Sequence, residues 1–263
     1  MKLPIYQVDA FSNHLFGGNP AAVVLISDQW PTDDVLQKIA IENNLAETAF
    51  FQKRENRYQL RWFTPEFEID LCGHATLASA HIIFTELHDK GDKIYFDTVS
   101  GELVVTKKEG LLQLDFPSRM PEEAIMEKSM LKAFSIKPKE IYKSRDYMLV
   151  FESEIEIREL VVNSSMLSAS DFGKGGIICT AQGDEADFVS RFFLPGASVF
   201  EDPVTGSAHC SMIPYWSEKM GKEKMVAYQL SERMGYLECT NRGDRVLIAG
   251  NAVTYLKGEI MIE

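Results

Sequence analysis

Arg61-Trp62-Phe63-Thr64-Pro65 recurs, in the second half of the chain, as Arg191-Phe192-Phe193-Leu194-Pro195. Each stretch has the bulky residues of a strand and ends at a proline, which cannot donate to a sheet ladder. A loop follows each, and then a glycine that opens a helical pattern. In the first copy this is Cys72-Gly73-His74-Ala75-Thr76, in the second Thr205-Gly206-Ser207-Ala208-His209. The step from Pro65 to Gly73 is 8 residues and that from Pro195 to Gly206 is 11. The second loop therefore carries three extra residues, expected within Val199–Val204, a stretch that includes Asp202. A match of R-aromatic-F-x-P alone arises easily by chance. The shared order of strand, proline, loop, glycine and helix favours an internal duplication.

Outward from the first copy, Lys2–Phe11 alternates as a strand does, and Phe16-Gly17-Gly18-Asn19-Pro20 is a turn with strong breakers. Ala21–Ile26 reads as a buried strand. Thr32 is an N-cap with Asp33 and Asp34 in the first turn, and Asn43-Asn44 ends that helix. Ala46–Phe51 and Tyr58–Phe63 read as strands. Residues 93–116 read as three more, joined at Ser100-Gly101 and Glu109-Gly110.

Beyond Phe116 the composition shifts over Pro117–Pro138, which marks a domain boundary and holds a predicted helix over Glu127–Phe134. Around the second copy, Tyr147–Val150, Gly176–Thr180, Ala186–Phe193 and Val246–Leu256 read as strands. Ser207–Met220 reads as a helix interrupted at Pro214 and stopped by Gly221. Glu152, Glu154 and Glu156 alternate with Ile155 and Ile157, as an exposed strand or a short helix with a solvated charged face. The expected domains are residues 1–117, completed by a C-terminal strand at 251–263, and residues 118–250.

Composition narrows the function. The 263 residues are 45% hydrophobic and 25% charged, the profile of a globular enzyme or binding protein rather than a disordered chain. With 27 Lys and Arg against 39 Asp and Glu, the net charge of −12 disfavours nucleic acid and anionic membranes as partners. The N-terminus lacks the apolar core of a signal peptide, and no window reaches the eighteen apolar residues of a membrane span. Cys72, Cys179, Cys210 and Cys239 lie far apart with no CxxC, so reduced thiols in the cytoplasm are expected. The five histidines show neither HxH nor HExxH spacing, and no metal is expected. No GxGxxG or GxxxxGK[ST] loop is present, so no nucleotide cofactor is expected.

An acidic protein can still bind an acid. A glycine at a helix start leaves free N–H groups at the positive end of the helix dipole, which hold an anion without any lysine. Gly73 and Gly206 provide two such ends, with polar His74 and Ser207 at equivalent places. Facing each other across a cleft, the two ends could hold a carboxylate substrate.

Asn19-Pro20-Ala21-Ala22-Val23, Asn44-Leu45-Ala46-Glu47-Thr48-Ala49-Phe50, Leu71-Cys72-Gly73-His74-Ala75-Thr76 and Glu201-Asp202-Pro203-Val204-Thr205-Gly206-Ser207-Ala208-His209 together resemble the PhzF-like family of phenazine biosynthesis. The resemblance covers nearly the whole chain, and the last motif is long and specific. It implies the diaminopimelate-epimerase fold. That fold is α+β with two similar domains, each a curved, mostly antiparallel sheet (an open barrel) around a central helix, with the active site between them. The central helices would start at Gly73 and Gly206, and the C-terminal strand would return to the first domain.

The resemblance also assigns roles. Strand alternation alone would turn Glu47 outward. The glutamate of the matching segment, however, is the family's proton-shuttling acid/base, and one such carboxyl group could move a hydrogen between two carbons of one substrate. His74 becomes a hydrogen-bond donor or a partner in proton transfer. Asp202 would orient His74 or a substrate amine, and Ser207 would donate to substrate. Gly73, Gly206, Ala75, Thr76 and Cys72 would line the substrate. In related racemases two cysteines oppose each other across the substrate. Here Thr205 stands where the second would be, and a hydroxyl cannot replace a thiolate near neutral pH. The expected activity is a cofactor-independent isomerase moving a proton within a small carboxylic acid, with a homodimer possible by analogy. The alternatives are an amino-acid racemase or epimerase, or a catalytically silent small-molecule or protein-binding module.

Overall fold

A computed structural model describes residues 1–167, 172, 175–197 and 199–262. The chain divides into a first unit, Met1–Asp115 with Ala249–Glu263, and a second, Phe116–Ile248. In the first unit come β1 (Lys2–Ala10), β2 (Asn19–Leu25), α1 (Asp33–Asn43), β3 (Glu47–Arg54), β4 (Arg57–Phe63), β5 (Glu68–Ile69), α2 (Gly73–Thr85), β6 (Lys93–Thr98), β7 (Gly101–Lys108) and β8 (Leu111–Pro117). The second unit follows with β9 (Glu122–Glu123), α3 (Lys128–Leu131), β10 (Glu140–Lys143), β11 (Tyr147–Val150), α4 (Glu154–Glu159), α5 (Ser164–Leu167), β12 (Ile177–Gln182), β13 (Phe188–Phe193), β14 (Glu201–Asp202), α6 (Gly206–Met220), β15 (Lys224–Gln229), β16 (Gly235–Asn241) and β17 (Arg245–Gly250). The last strand, β18 (Ala252–Met261), lies in the first unit against β1.

The two units repeat one wiring. In the first, β1–β2 is antiparallel, β2–β3 parallel, β3–β4 and β4–β5 antiparallel, β4–β6 parallel and β6–β7 antiparallel. In the second, β10–β11, β11–β12, β12–β13, β13–β14, β13–β15 and β15–β16 follow the same sequence of directions. The antiparallel neighbour that β9 gives β10 is supplied to β1 by β18. This wiring is why the chain's last strand is needed beside its first.

The repeat extends to side chains. Arg61 forks onto Glu68 through Nε and Nη2, both at 2.7 Å, and lies 5.1 Å over the Phe63 ring. Arg191 forks onto Glu201 at 2.7 and 2.8 Å and lies 5.1 Å over Phe193. Phe63 pairs with Glu68 and Trp62 with Ile69, while Phe193 pairs with Glu201 and Phe192 with Asp202. These registers correct the expected place of the insertion. The three extra residues fall between Pro195 and Glu201, and Asp202 occupies the position of Ile69 rather than a place in the insertion.

Each unit is built on a buried helix. Small Ala75, Ala78, Ser79 and Ala80 and bulky Leu77, Ile82, Ile83 and Phe84 bury α2 on nearly every side, as expected of a helix apolar all round. It packs on β1, β2, β3, β7 and β18. In the second unit α6 is buried from Gly206 to Ser217 apart from Ser207, and packs on β15 and β16. Pro214 is accommodated inside it, and Gly221 closes it in the left-handed conformation. A further cluster in the first unit lays Leu36, Ile39 and Ala40 of α1 against Val24, Phe50 and Phe63.

Four other expectations change. The helix predicted over Glu127–Phe134 is only the turn Lys128–Leu131. Phe134 leaves it to bridge Val162, and the next amide, that of Ser135, bonds the Val161 carbonyl. Val246–Leu256 is two strands, broken at Asn251, whose carbonyl accepts the Phe11 N–H. Glu154 is buried rather than solvated. Its Oε1 accepts from Arg158 and its Oε2 from the Asp184 amide. Finally, β10, β15 and β16 were not anticipated. Among the described residues no helix is long and apolar enough to cross a membrane.

Candidate active site

Parallel pairing of β2 and β3, with Ala21 opposite Glu47, brings the starts of both strands to one end of the first unit's sheet. Asn19 opens β2 and Glu47 opens β3, just after Asn44 ends α1 in the left-handed conformation. Cys72 caps α2 in an extended conformation, without a side-chain capping bond, and His74 sits in the first turn.

These elements assemble one constellation. His74 Nε2 is 3.0 Å from Glu47 Oε2, with the two side chains 5% and 17% exposed. On the other edge of the ring, Nδ1 meets the Asn19 amide nitrogen at 3.2 Å and the Cys72 sulfur at 3.5 Å. Burial pulls the imidazole's pKa down, but Cys72 and Glu47 beside it outweigh burial and hold it well above its ordinary 6.5. Burial also pushes the Cys72 thiol up, and the Glu47 carboxylate adds to that.

Glu47, Cys72 and His74 place one ligand atom each within 4.8 Å of one another, close enough to suggest a metal site. However, the carboxylate lies at Nε2 and the thiol at Nδ1. One imidazole nitrogen cannot serve an ion shared with both unless the ring turns, so the set fits proton handling better than coordination.

Around His74 the helix start begins its own hydrogen bonding late. The first amide to close onto the Cys72 carbonyl is that of Thr76, at 3.2 Å. The amides of Gly73, His74 and Ala75 precede it and sit at the positive end of the dipole. The Thr76 side chain is fully buried and its hydroxyl donates to the Cys72 carbonyl at 2.5 Å. It fastens the turn, and Ala75 offers only its backbone.

In the second unit Asp202 is half-buried. Its Oδ2 accepts the Thr205 hydroxyl at 2.5 Å. Gln229 ties the loop to the helix: its Oε1 accepts the Thr205 amide at 2.8 Å, and its Nε2 donates to the Asp202 carbonyl at 2.7 Å. Ser207, in the first turn of α6 beside Gly206, is half-buried, and no side-chain hydrogen bond to it is found among the described residues. The expected site residues thus form two sets. Glu47, Cys72, Gly73, His74, Ala75 and Thr76 stand in the first unit, and Asp202, Gly206 and Ser207 in the second. Sequence reading missed the parts played by Asn19 and Gln229. Asn19 was absorbed into a turn, although it stands in a matching family segment, and Gln229 lies on a strand that sequence reading did not anticipate.

Comparison with known proteins bears on what this geometry serves. The profile of the family described as "Phenazine biosynthesis-like protein" matches residues 8–258. An uncharacterized isomerase of Pseudomonas aeruginosa is 45% identical, over 99% of this chain and 99% of its own. The crystal structure of a PhzF-family phenazine biosynthesis protein of Enterococcus faecalis superposes with a TM-score of 0.95 at 45% identity, covering 100% of both chains. A hydroxyproline epimerase of Agrobacterium vitis has the same fold at 8% identity, with a TM-score of 0.64 over 98% of this chain and 92% of its own.

Proposed function

This chain belongs to the phenazine biosynthesis-like family, whose two-domain epimerase-like fold it shares, and from that premise we propose that it is an isomerase relocating a proton within a small carboxylic acid. The observation that carries the reading is the contact of Glu47 with a buried His74 at a helix start. Glu47 is the acid/base. Its carboxylate takes a proton from a substrate carbon while the electron pair moves into the adjoining unsaturated system. The resulting carboxylic acid then returns that proton to a second carbon. Protons and electrons balance within the one substrate, and no cofactor is part of the proposal. His74 stands with Nε2 beside the Glu47 oxygen and, when protonated, stabilises its charged form.

The substrate carboxylate is assigned to the amides of Gly73 and His74 at the helix start, with the Ala75 amide turned to the Cys72 sulfur. In the second unit Ser207 and the first amides of α6 are assigned to substrate binding, and Asp202 to accepting from a substrate amine. Cys72 lines the substrate as a neutral thiol. The four free cysteines are buried, which suits a reducing cytoplasm, and a homodimer is proposed by analogy with the family.

The test is deuterium incorporation from heavy water into a panel of small unsaturated and amino carboxylic acids. An isomerase labels a carbon, and a silent binding module labels none. Glu47→Gln keeps the shape and removes the ionisation, with an expected loss of about 10²–10⁴ in rate. Cys72→Ala is expected to retain activity. A loss of more than about a hundredfold with folding intact would make the thiol a proton carrier and favour the racemase or epimerase reading. That reading draws on the Cys72–His74 contact, and measurement of product chirality separates it. Unchanged turnover in Glu47→Gln would remove Glu47 from the mechanism.

A further inference from the structure

We propose that Asn19 is the positioning residue that decides which nitrogen of His74 carries the proton of the neutral ring. The inference rests on the reading of Glu47 and His74 as the proton-handling pair. Asn19 is fully buried at the first position of β2. The loop that delivers it is drawn tight at Gly18, where φ is +62° and a Cβ would lie 2.1 Å from the Ala10 carbonyl oxygen. Only glycine fits there, so the side chain that follows is held in a defined place.

The chemistry of the contact then sets the ring. Asn19 Nδ2 stands 3.2 Å from His74 Nδ1. With its nitrogen turned to the neutral ring the amide donates, and Nδ1 then accepts. The proton of the neutral ring is therefore on Nε2, 3.0 Å from Glu47 Oε2. The Cys72 thiol, 3.5 Å from the same Nδ1, is a weak donor to the same lone pair. Glu47 from β3, Cys72 from the helix cap and Asn19 from β2 are the groups that face the ring among the described residues.

Asparagine suits both charge states of the histidine. When Nδ1 gains a proton, a half-turn of the amide presents Oδ1 to accept it, and Nε2 stays beside Glu47 throughout. Aspartate can only accept at that place, and leucine can do neither.

The experiment follows the ring nitrogens of His74 by NMR in substrate-free protein with isotope-labelled histidine, as pH is varied, with His74→Gln for assignment. In the wild type the neutral ring is expected to carry its proton on Nε2. Asn19→Asp, nearly isosteric, is expected to raise the His74 midpoint by about one unit or more. Asn19→Leu is expected to leave the neutral ring a mixture of both tautomers. A wild-type ring protonated on Nδ1, or an Asn19→Asp midpoint equal to that of the wild type, would overturn the proposal, whether or not the leucine variant folds. Glu47 is tested separately by the exchange assay with Glu47→Gln, so either idea can fail while the other stands.

Discussion

His209 occupies in α6 the place that Thr76 occupies in α2. Thr76 donates its hydroxyl to the carbonyl of the capping residue Cys72, and His209 donates Nδ1–H to the carbonyl of the capping residue Thr205 at 2.9 Å. Two residues earlier the copies differ in the opposite sense, with His74 in the first and Ser207 in the second. Of His74 and His209, His74 is the one that faces a carboxylate among the described residues. His209 is wholly buried and tilted over the Phe188 ring, and burial pulls its pKa down to about 4 despite the Thr205 carbonyl. Its unfolded value is near 6.5, so the unfolded chain binds the proton more readily. The contribution is complete above pH 6.5 and is lost as pH falls toward 4, roughly 3 kcal/mol in all. Urea unfolding at pH 7.5 and pH 5 reads this directly. His209→Gln should flatten the difference between the two, and an equal slope in both proteins would show that another group is responsible.

At the scale of elements, the arginine fork is the device that fastens each strand to the short strand after it. The two forks are not equally placed. Beyond its glutamate, Arg61 reaches Asp33, an exposed carboxylate at the start of α1. Arg191 reaches the carbonyls of Leu160 at 2.7 Å and Ile157 at 3.2 Å, closing the end of α4. Removing Arg191 strands buried carbonyls and a half-buried Glu201. Arg191→Met is therefore expected to cost about 2–3 kcal/mol in thermal or urea unfolding, and Arg61→Met about half as much. Arg191→Lys should recover little, because an ammonium cannot reproduce the planar fork. Equal losses at both positions would refute this account. The fork glutamates show what sequence reading could and could not see. The arginines were plain in the repeat. Their partners Glu68 and Glu201 were not, because the loop-length difference hid which acid matched which until the strand registers aligned them.

For the whole molecule, the duplicated wiring makes the last strand part of the first unit. β18 pairs with β1 from Lys2 to Ala10, and its residues also reach α2, as in the bond of His81 Nε2 with Thr254 Oγ1 at 3.0 Å. Truncation after Asn251 would unpair the whole of β1 on one side. The first unit is expected to lose its cooperative unfolding while the spectroscopic signals of Trp216, stacked 6.0 Å from Phe188 in the second unit, still report a folded environment. Retention of a wild-type melting curve by the truncated chain would count against this dependence.

Periodicity and breakers were enough to place most elements, because apolar spacing and positions such as Gly73, Asn44 and Gly221 act locally. The sequence also held the repeat, and its motifs carried the family. What it could not hold were quantities set by neighbours distant in the chain. A helix at Glu127–Phe134 has the right local pattern, yet Phe134 is claimed by Val162. Glu154 looks solvated until Arg158 and the Asp184 amide enclose it. Glu47 would turn outward by alternation, yet the parallel pairing of β2 with β3 and the start of α2 deliver His74 to within 3.0 Å of it. The carboxylate proposed as the acid was legible in a motif. The groups that meet the ring beside it, Asn19 and Cys72 at Nδ1 and Glu47 at Nε2, were decided only by tertiary structure, because folding alone brings together side chains distant in the chain.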